Sequence, residues 1–203
     1  IMIAIGGGIG ASVVTSQYLG AGKHDKMKIS VFTALISFAA VSVVLGIFGF
    51  CMCSRILGAL RTPPNIIEDA VLYLRIYFVG LPFLFMYNVL SAVFNALGDS
   101  KTPLYLLIFS SMLNVLLDLA MVQIFVLGVA GVAIATVAAQ GLSAGRSFIL
   151  LMRKLKTFGV DSKMNSSEEC IRAENVYSTE MLGSMVKIAI PSMLQQSIVS
   201  IGM

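Results

Sequence analysis

Between Pro103 and Leu127 the chain runs for 25 residues with no Lys or Arg and a single acidic residue, Asp118. As a helix rising about 1.5 Å per residue, this segment is long enough to cross the roughly 30 Å of hydrocarbon in a bilayer. An ionised Asp near the middle of such a span costs roughly 2.5 to 3.5 kcal/mol on insertion scales, so Asp118 is expected to face protein or a water-filled cavity, not lipid. Asn114 lies one helical turn earlier on the same face. An amide carbonyl and a carboxylate pointing into one space suit a proton or a small hard cation. Asp118 and Asn114 are therefore the candidate coupling residues and the candidate ligands of a sodium ion.

The rest of the chain has the same character. It is 58% hydrophobic and only 12% charged, where a soluble domain averages about 25% charged. The fold class expected is an all-α membrane protein, a polytopic bundle with about six visible transmembrane helices, whose surroundings are the lipid bilayer. The spans expected are Ile1–Leu19, Ile29–Met52, Val71–Leu97, Pro103–Leu127, Val132–Met152, and a last one that starts near Met185. No aromatic-interleaved basic patch suggests nucleic acid, and no obligate protein partner is evident. Cys51, Cys53 and Cys170 supply neither a disulfide framework nor a four-ligand zinc site, so the first two are read as small apolar residues at a helix end.

Local signals punctuate these spans. Gly6, Gly7, Gly8 and Gly10 lack the context of a phosphate loop and are expected to allow close helix packing. Asn65 with Glu68 resembles a capping box, Pro82 should kink the third span, and Thr102 is expected to cap a helix that opens at Pro103. Gly131, Ala135, Ala139, Ser143 and Ser147 form a small-residue stripe, while Gly141 and Gly145 make a GxxxG on another face. Residues 153–184 have a mixed-charge composition and read as a linker with a possible surface helix and a sequon at Asn165, which divides the chain into a transmembrane lobe at 1–152, the linker, and the start of a second lobe at 185–203.

Assigning loops alternately to two sides puts eleven of the 14 basic residues on one side, leaving Arg55, Arg61 and Arg75 on the other. The positive-inside rule then makes loops 20–28 and 98–102 and the linker 153–184 cytoplasmic. Folding the third and fourth spans about residue 100 brings Asn88 to the depth of Asn114, and folding the fourth and fifth about Gly128 brings Gln140 to the level of Asn114 and Asp118. Asn88 joins the coupling candidates, and Gln140 is a candidate cavity-lining residue.

The run YLRIYFVGLPFLFMYNVLSAVFNALGDSKTP, followed by NVLLDLAMVQIF and GVAGVAIATVAAQ, resembles the multidrug and toxic compound extrusion (MATE) family of secondary transporters. QYLGAGKHDK resembles the loop after the family's second helix, and KIAIPSMLQQSIVSIG the opening of its seventh. The resemblance implies a fragment, second helix to seventh, of a twelve-helix, two-lobe antiporter that exports organic cations in exchange for Na⁺ or H⁺. It implies no tightly bound cofactor, a small cationic substrate and, with a bacterial origin, the plasma membrane. In several members an Asp on the first helix, an Asn on the fourth, and an Asn and Asp on the fifth form a cation site. Asn114 and Asp118 match the fifth-helix pair and Asn88 the fourth-helix Asn, while the first-helix Asp lies outside this chain.

Two enzyme readings fail on the residues: Ala96-Leu97-Gly98-Asp99 lacks the first Gly of the GxGD of an intramembrane aspartyl protease, and no Walker A motif is present. A flippase of lipid-linked saccharides with similar architecture is the alternative transporter. It calls for a basic cavity, and these spans carry no Lys or Arg at mid-membrane depth.

Overall fold

Helices that cross hydrocarbon gain nothing from hiding apolar surface from one another, so they associate where small residues let their backbones approach. This is how the present bundle is assembled. The computed structural model describes residues 2–60, 62–63, 66–124, 128–163 and 177–201. Six long helices follow in order: α1 Met2–Gly20, α2 His24–Ala59, α3 Ile67–Ala96, α4 Lys101–Leu119, α5 Gly128–Lys163 and α6 Thr179–Ile201. Four stretches are long and apolar enough to cross a membrane: His24–Ala59, Ile67–Ala96, Lys101–Gln123 and Gly128–Lys156.

Helix α1 packs against α2, α3 and α6, and its glycines are the points of contact. A Cβ at Gly10 would lie 2.5 Å from the carbonyl oxygen of Met185 on α6, and one at Gly6 would lie 2.9 Å from the Met193 backbone. Gly7 receives the Phe38 ring of α2, and Gly8 faces Ala92 of α3. Gly46 and Gly49 of α2 receive Phe78 of α3 in the same way. Pro82 cannot donate the helical hydrogen bond to the Phe78 carbonyl, and that oxygen lies 3.0 Å from where a Gly46 Cβ would be.

The small-residue stripe of α5 is buried as expected, with Ala135, Ala139, Ser143 and Ser147 all inside. The GxxxG expectation is not met: Gly141 touches the Phe83 ring, but Gly145 is exposed with nothing within 4 Å of its Cβ position.

Helix ends differ from expectation where no residue stops propagation. α2 continues through Cys53, which is buried, to Ala59, because no proline lies between Met52 and Ala59 and the one glycine, Gly58, comes only at the last turn. Cys51, by contrast, is exposed. α2 also begins at His24, earlier than Ile29; α5 runs past Met152, and α6 starts at Thr179. The Asn65 capping box, the Asn165 sequon, Cys170 and the middle of the linker lie outside the described residues.

The α3–α4 turn pivots on Gly98, whose φ of +75° suits glycine. α4 opens at Lys101 behind Ser100, which makes no capping side-chain bond, so the side chain that satisfies the first turn is that of Asp99 and not of Thr102. Asp99 Oδ1 accepts the Thr102 backbone N–H at 3.1 Å, and Oδ2 accepts the Thr102 hydroxyl at 2.8 Å. Lys154 of α5 donates to the same Oδ2 at 2.5 Å, which ties the α3–α4 turn to the far part of α5. The largest cluster of buried side chains sits toward this end, from Met27 and Val31 through Val93, Phe94 and Leu97 to Leu151, Leu155 and Met185.

The Lys154 hydrogen bond, with help from Thr102, holds the Asp99 carboxyl at about 2, below its ordinary 3.8. A carboxylate depressed on folding stabilises above its unfolded value, so this contribution is present at pH 5 and above and is lost as pH falls from about 4 toward 2. Asp99→Asn should lower stability at neutral pH by about 0.2–1 kcal/mol and weaken the acid dependence in that window, measured by denaturation of the solubilised full-length protein. In the same assay Gly10→Ala, which forces a Cβ against α6 backbone, should cost about 1–3 kcal/mol. Gly145→Ala should be neutral or stabilising by up to about 1 kcal/mol.

Candidate functional site

Helices α4 and α5 run antiparallel and meet through polar residues spaced by whole turns. On α4 the line is Ser110, Asn114, Asp118; on α5 it is Thr136, Gln140. Asn114 Nδ2 donates to Thr136 Oγ1 at 3.4 Å, and Thr136 Oγ1 donates to the Val132 carbonyl one turn back at 2.9 Å. Around this contact lies a cavity of about 150 Å³ lined by Ser110, Ser111, Asn114, Thr136, Ala139 and Gln140. Three other cavities, of about 340, 130 and 440 Å³, are lined mostly by apolar side chains. Of the sequence candidates, Asn114 and Gln140 thus come together.

Asp118 lies one turn beyond Asn114, at the end of α4, where the chain passes into a π-helical stretch, Ala120–Ile124. Its Oδ1 is buried and has no hydrogen-bond partner among the described residues. A buried polar atom without a partner is uncommon, and at a carboxylate it marks a place where a proton, a cation or water completes the shell.

Asn88 is placed apart from this group. It lies on α3, where Nδ2 donates to the Leu84 carbonyl at 2.8 Å, and its backbone faces Gly8 of α1. It does not line the α4–α5 cavity, because α3 packs chiefly on α1, α2 and α5.

Thr136, Ser110 and Ser111 were not singled out in the sequence. Their signal was present: Thr136 precedes Gln140 by four residues and Ser110 precedes Asn114 by four, so each continues a polar line on its helix. Among the described residues no group of three or more His, Cys, Asp and Glu side chains converges. The cavity whose edge, Asn114, lies one turn from Asp118 offers oxygens from amides and hydroxyls: Ser110, Ser111, Asn114, Thr136 and Gln140. Such neutral donors beside a single carboxylate fit a monovalent cation or a proton better than a divalent metal.

The sequence profile of the MatE family matches residues 1–120. The chain is 33% identical over 191 residues to a probable multidrug resistance protein of Bacillus subtilis, YpnP, covering 94% of this chain and 40% of that protein. YoeA, a second probable multidrug resistance protein of B. subtilis, is 31% identical over 205 residues, with 99% and 43% covered. The chain therefore spans about two fifths of the length of the curated relatives it matches. Among solved structures, a MATE transporter of Vibrio cholerae in its bent form superposes with a TM-score of 0.85 at 22% identity, over 99% of this chain and 43% of that one. An outward-facing MATE family transporter gives 0.81 at 21% identity, over 99% and 43%. At these identities the structures establish a shared helical architecture. The profile match and the two B. subtilis relatives establish more, and the chain belongs to the multidrug and toxic compound extrusion (MATE) family of membrane transporters.

Proposed function

We propose that this chain forms most of the amino-terminal lobe, with the inter-lobe linker and the start of the second lobe, of a secondary transporter that exports organic cations or drugs in exchange for Na⁺ or H⁺. Asp118 and Asn114 carry the coupling ion, Asn88 approaches the same depth from α3, and Gln140 lines the cavity. The observation that supports this reading best is the buried, unpartnered Asp118 Oδ1 one turn from the Asn114–Thr136 contact. The names of the B. subtilis relatives favour drug export over lipid-linked saccharide flipping.

The mechanism follows from charge competition in a poorly solvated region. With Asp118 ionised and unoccupied, the cavity attracts a cation, which is the state that binds substrate from the cytoplasm. Protonation or Na⁺ binding from outside neutralises the carboxylate, weakens its hold on a cationic substrate and favours release. Rocking of one lobe against the other around the site alternates which side has access. The protein acts by transport and not by catalysis. It resides in a bacterial plasma membrane with loops 20–28 and 98–102 and the linker 153–184 on the cytoplasmic side. A cysteine introduced at Ala21 should then be labelled by an impermeant maleimide only from that side.

The deciding experiment is efflux of a fluorescent organic cation from proteoliposomes holding the full-length protein, under an imposed Na⁺ or H⁺ gradient. Asp118→Asn, which keeps the shape and removes the charge, should abolish gradient-driven efflux, a loss of about 100-fold or more. Thr136→Val should reduce it about tenfold, in line with one lost hydrogen bond. Normal coupled transport by Asp118→Asn would refute the role given to that carboxylate. No cation efflux by the wild type under either gradient would refute the drug-antiporter reading as a whole.

A further inference from the structure

Helices α2 and α3 leave a groove of about 340 Å³ between them, with Val43, Ile47 and Cys51 on one side and Phe78, Val79 and Pro82 on the other. Gly46 supplies no side chain to fill it. Val43, Ile47, Cys51 and Val79 are exposed, so the groove is open to whatever surrounds the bundle. Its volume lies within the roughly 300–1,000 Å³ that small-molecule sites occupy.

The apolar walls end in two arginines. Steps of four along α2 run Val43, Ile47, Cys51, Arg55, and one step of four back along α3 leads from Val79 to Arg75, so each arginine continues the strip that carries its wall. The helices are antiparallel, since Phe78 meets Gly46 and Gly49 while Arg75 lies over Phe50, and this puts both arginines at the same end of the groove. On a helix the Cα–Cβ bond tilts toward the N-terminus. Arg55 therefore starts back toward Cys51, while Arg75 starts away from Val79, and the two stems converge in depth. Both residues are exposed, and neither forms an ion pair among the described residues. Arg75 is held by an aromatic face instead, its Cζ 5.6 Å from the centre of the Phe50 ring.

The length fits one leaflet. Twelve residues separate Val43 from Arg55, a rise of about 18 Å, and half of a bilayer's hydrocarbon is about 15 Å. Val43 lies near the middle of the apolar run of α2, so the groove spans from mid-membrane to the interface, on the side away from the 20–28 turn. Two unpaired guanidinium groups repel an organic cation, so this groove does not serve the substrate proposed above. They match a phosphate, which planar guanidinium groups bind in bidentate fashion. A phosphate alone would leave the apolar walls unused, and a neutral chain would leave the charges unpaired. Glu68 continues the α3 line about 10 Å beyond Arg75, at an exposed helix start where water and salt screen it.

We propose that the α2–α3 groove binds an anionic phospholipid, its phosphate held between Arg55 and Arg75 and one acyl chain lying along Val43, Ile47, Phe78 and Pro82. The site requires only that α2 and α3 cross the membrane. Its failure would leave the coupling role of Asp118 untouched, and failure of that role would leave the lipid site standing.

The test is native mass spectrometry of the full-length protein in detergent, with phosphatidylglycerol or phosphatidylcholine added at equal concentration. The wild type should retain phosphatidylglycerol about tenfold more tightly, because choline brings a cation to the two guanidinium groups. Arg55→Gln with Arg75→Gln should remove that preference, whereas Lys28→Gln, at the other end of α2, should leave it in place. Val79→Trp fills the groove and spares both arginines, and should also weaken phosphatidylglycerol retention by about tenfold. Equal retention of the two lipids by the wild type, a comparison that needs no substitution, would reduce the groove to ordinary lipid contact and overturn the proposal. A preference that survives the double substitution would overturn it as well. Unchanged retention by Val79→Trp, or displacement of the lipid by glycerol phosphate at the same concentration, would show an anion held without the groove and would overturn it too.

Discussion

What the structure depends on most is the closeness with which helix backbones approach one another when a Cβ is missing or small. Hydrocarbon offers helices no hydrophobic reason to associate, so contact area and its van der Waals energy decide which faces meet. Gly6, Gly7, Gly8 and Gly10 open α1 to three neighbours, Gly46 and Gly49 accept Phe78 on α2, and Ala135, Ala139, Ser143 and Ser147 give α5 a buried face of small side chains. These contacts hold α1, α2, α3, α5 and α6 in one body, with the main cluster of buried side chains toward the end marked by Asp99 and Lys154.

Helix α4 is held differently. Of its described residues only Leu106 is buried, and it packs mainly along α5. The side chains at that seam are the polar ones, so the contact that orients α4 is also the one that shapes the cavity. A polar contact in an apolar medium is directional, which fixes Asn114 against Thr136, while Oδ1 of Asp118 one turn on has no partner among the described residues. The π-helical stretch follows within two residues of Asp118. Single π turns interrupt helices at positions where side-chain direction matters, and this one lies beside the carboxylate that the sequence alone marks as costly.

Much of this was legible in the chain. Long apolar runs separated by short polar turns fix the number and approximate limits of the helices, because only a helix satisfies its own backbone within hydrocarbon. A carboxylate inside such a run is visible as an anomaly without any structure. The small-residue periodicity of α5 correctly named its buried face. The helix ends were harder to read: Cys53, Arg153 and Lys154 continue helices that composition alone would end, since polarity by itself does not stop a helix where no proline intervenes. Thr102 was a plausible cap until the turn at Gly98 brought the Asp99 carboxylate onto its backbone N–H.

The sequence by itself determined an all-helical membrane bundle, its family, and the candidate group of Asp118, Asn114, Asn88 and Gln140, because each depends on local composition and spacing. Tertiary structure alone decided which of these share a space. Depth along a helix follows from counting residues, but the direction a side chain faces across the bundle depends on how the helices are rotated about their axes, and packing sets that rotation. Hence Asn114, Thr136 and Gln140 line one cavity, while Asn88 lies on a helix packed on α1, α2 and α5. The same rotation leaves the hydroxyls of Ser143 and Ser147 buried without partners among the described residues, which their place in a small-residue stripe gave no reason to expect.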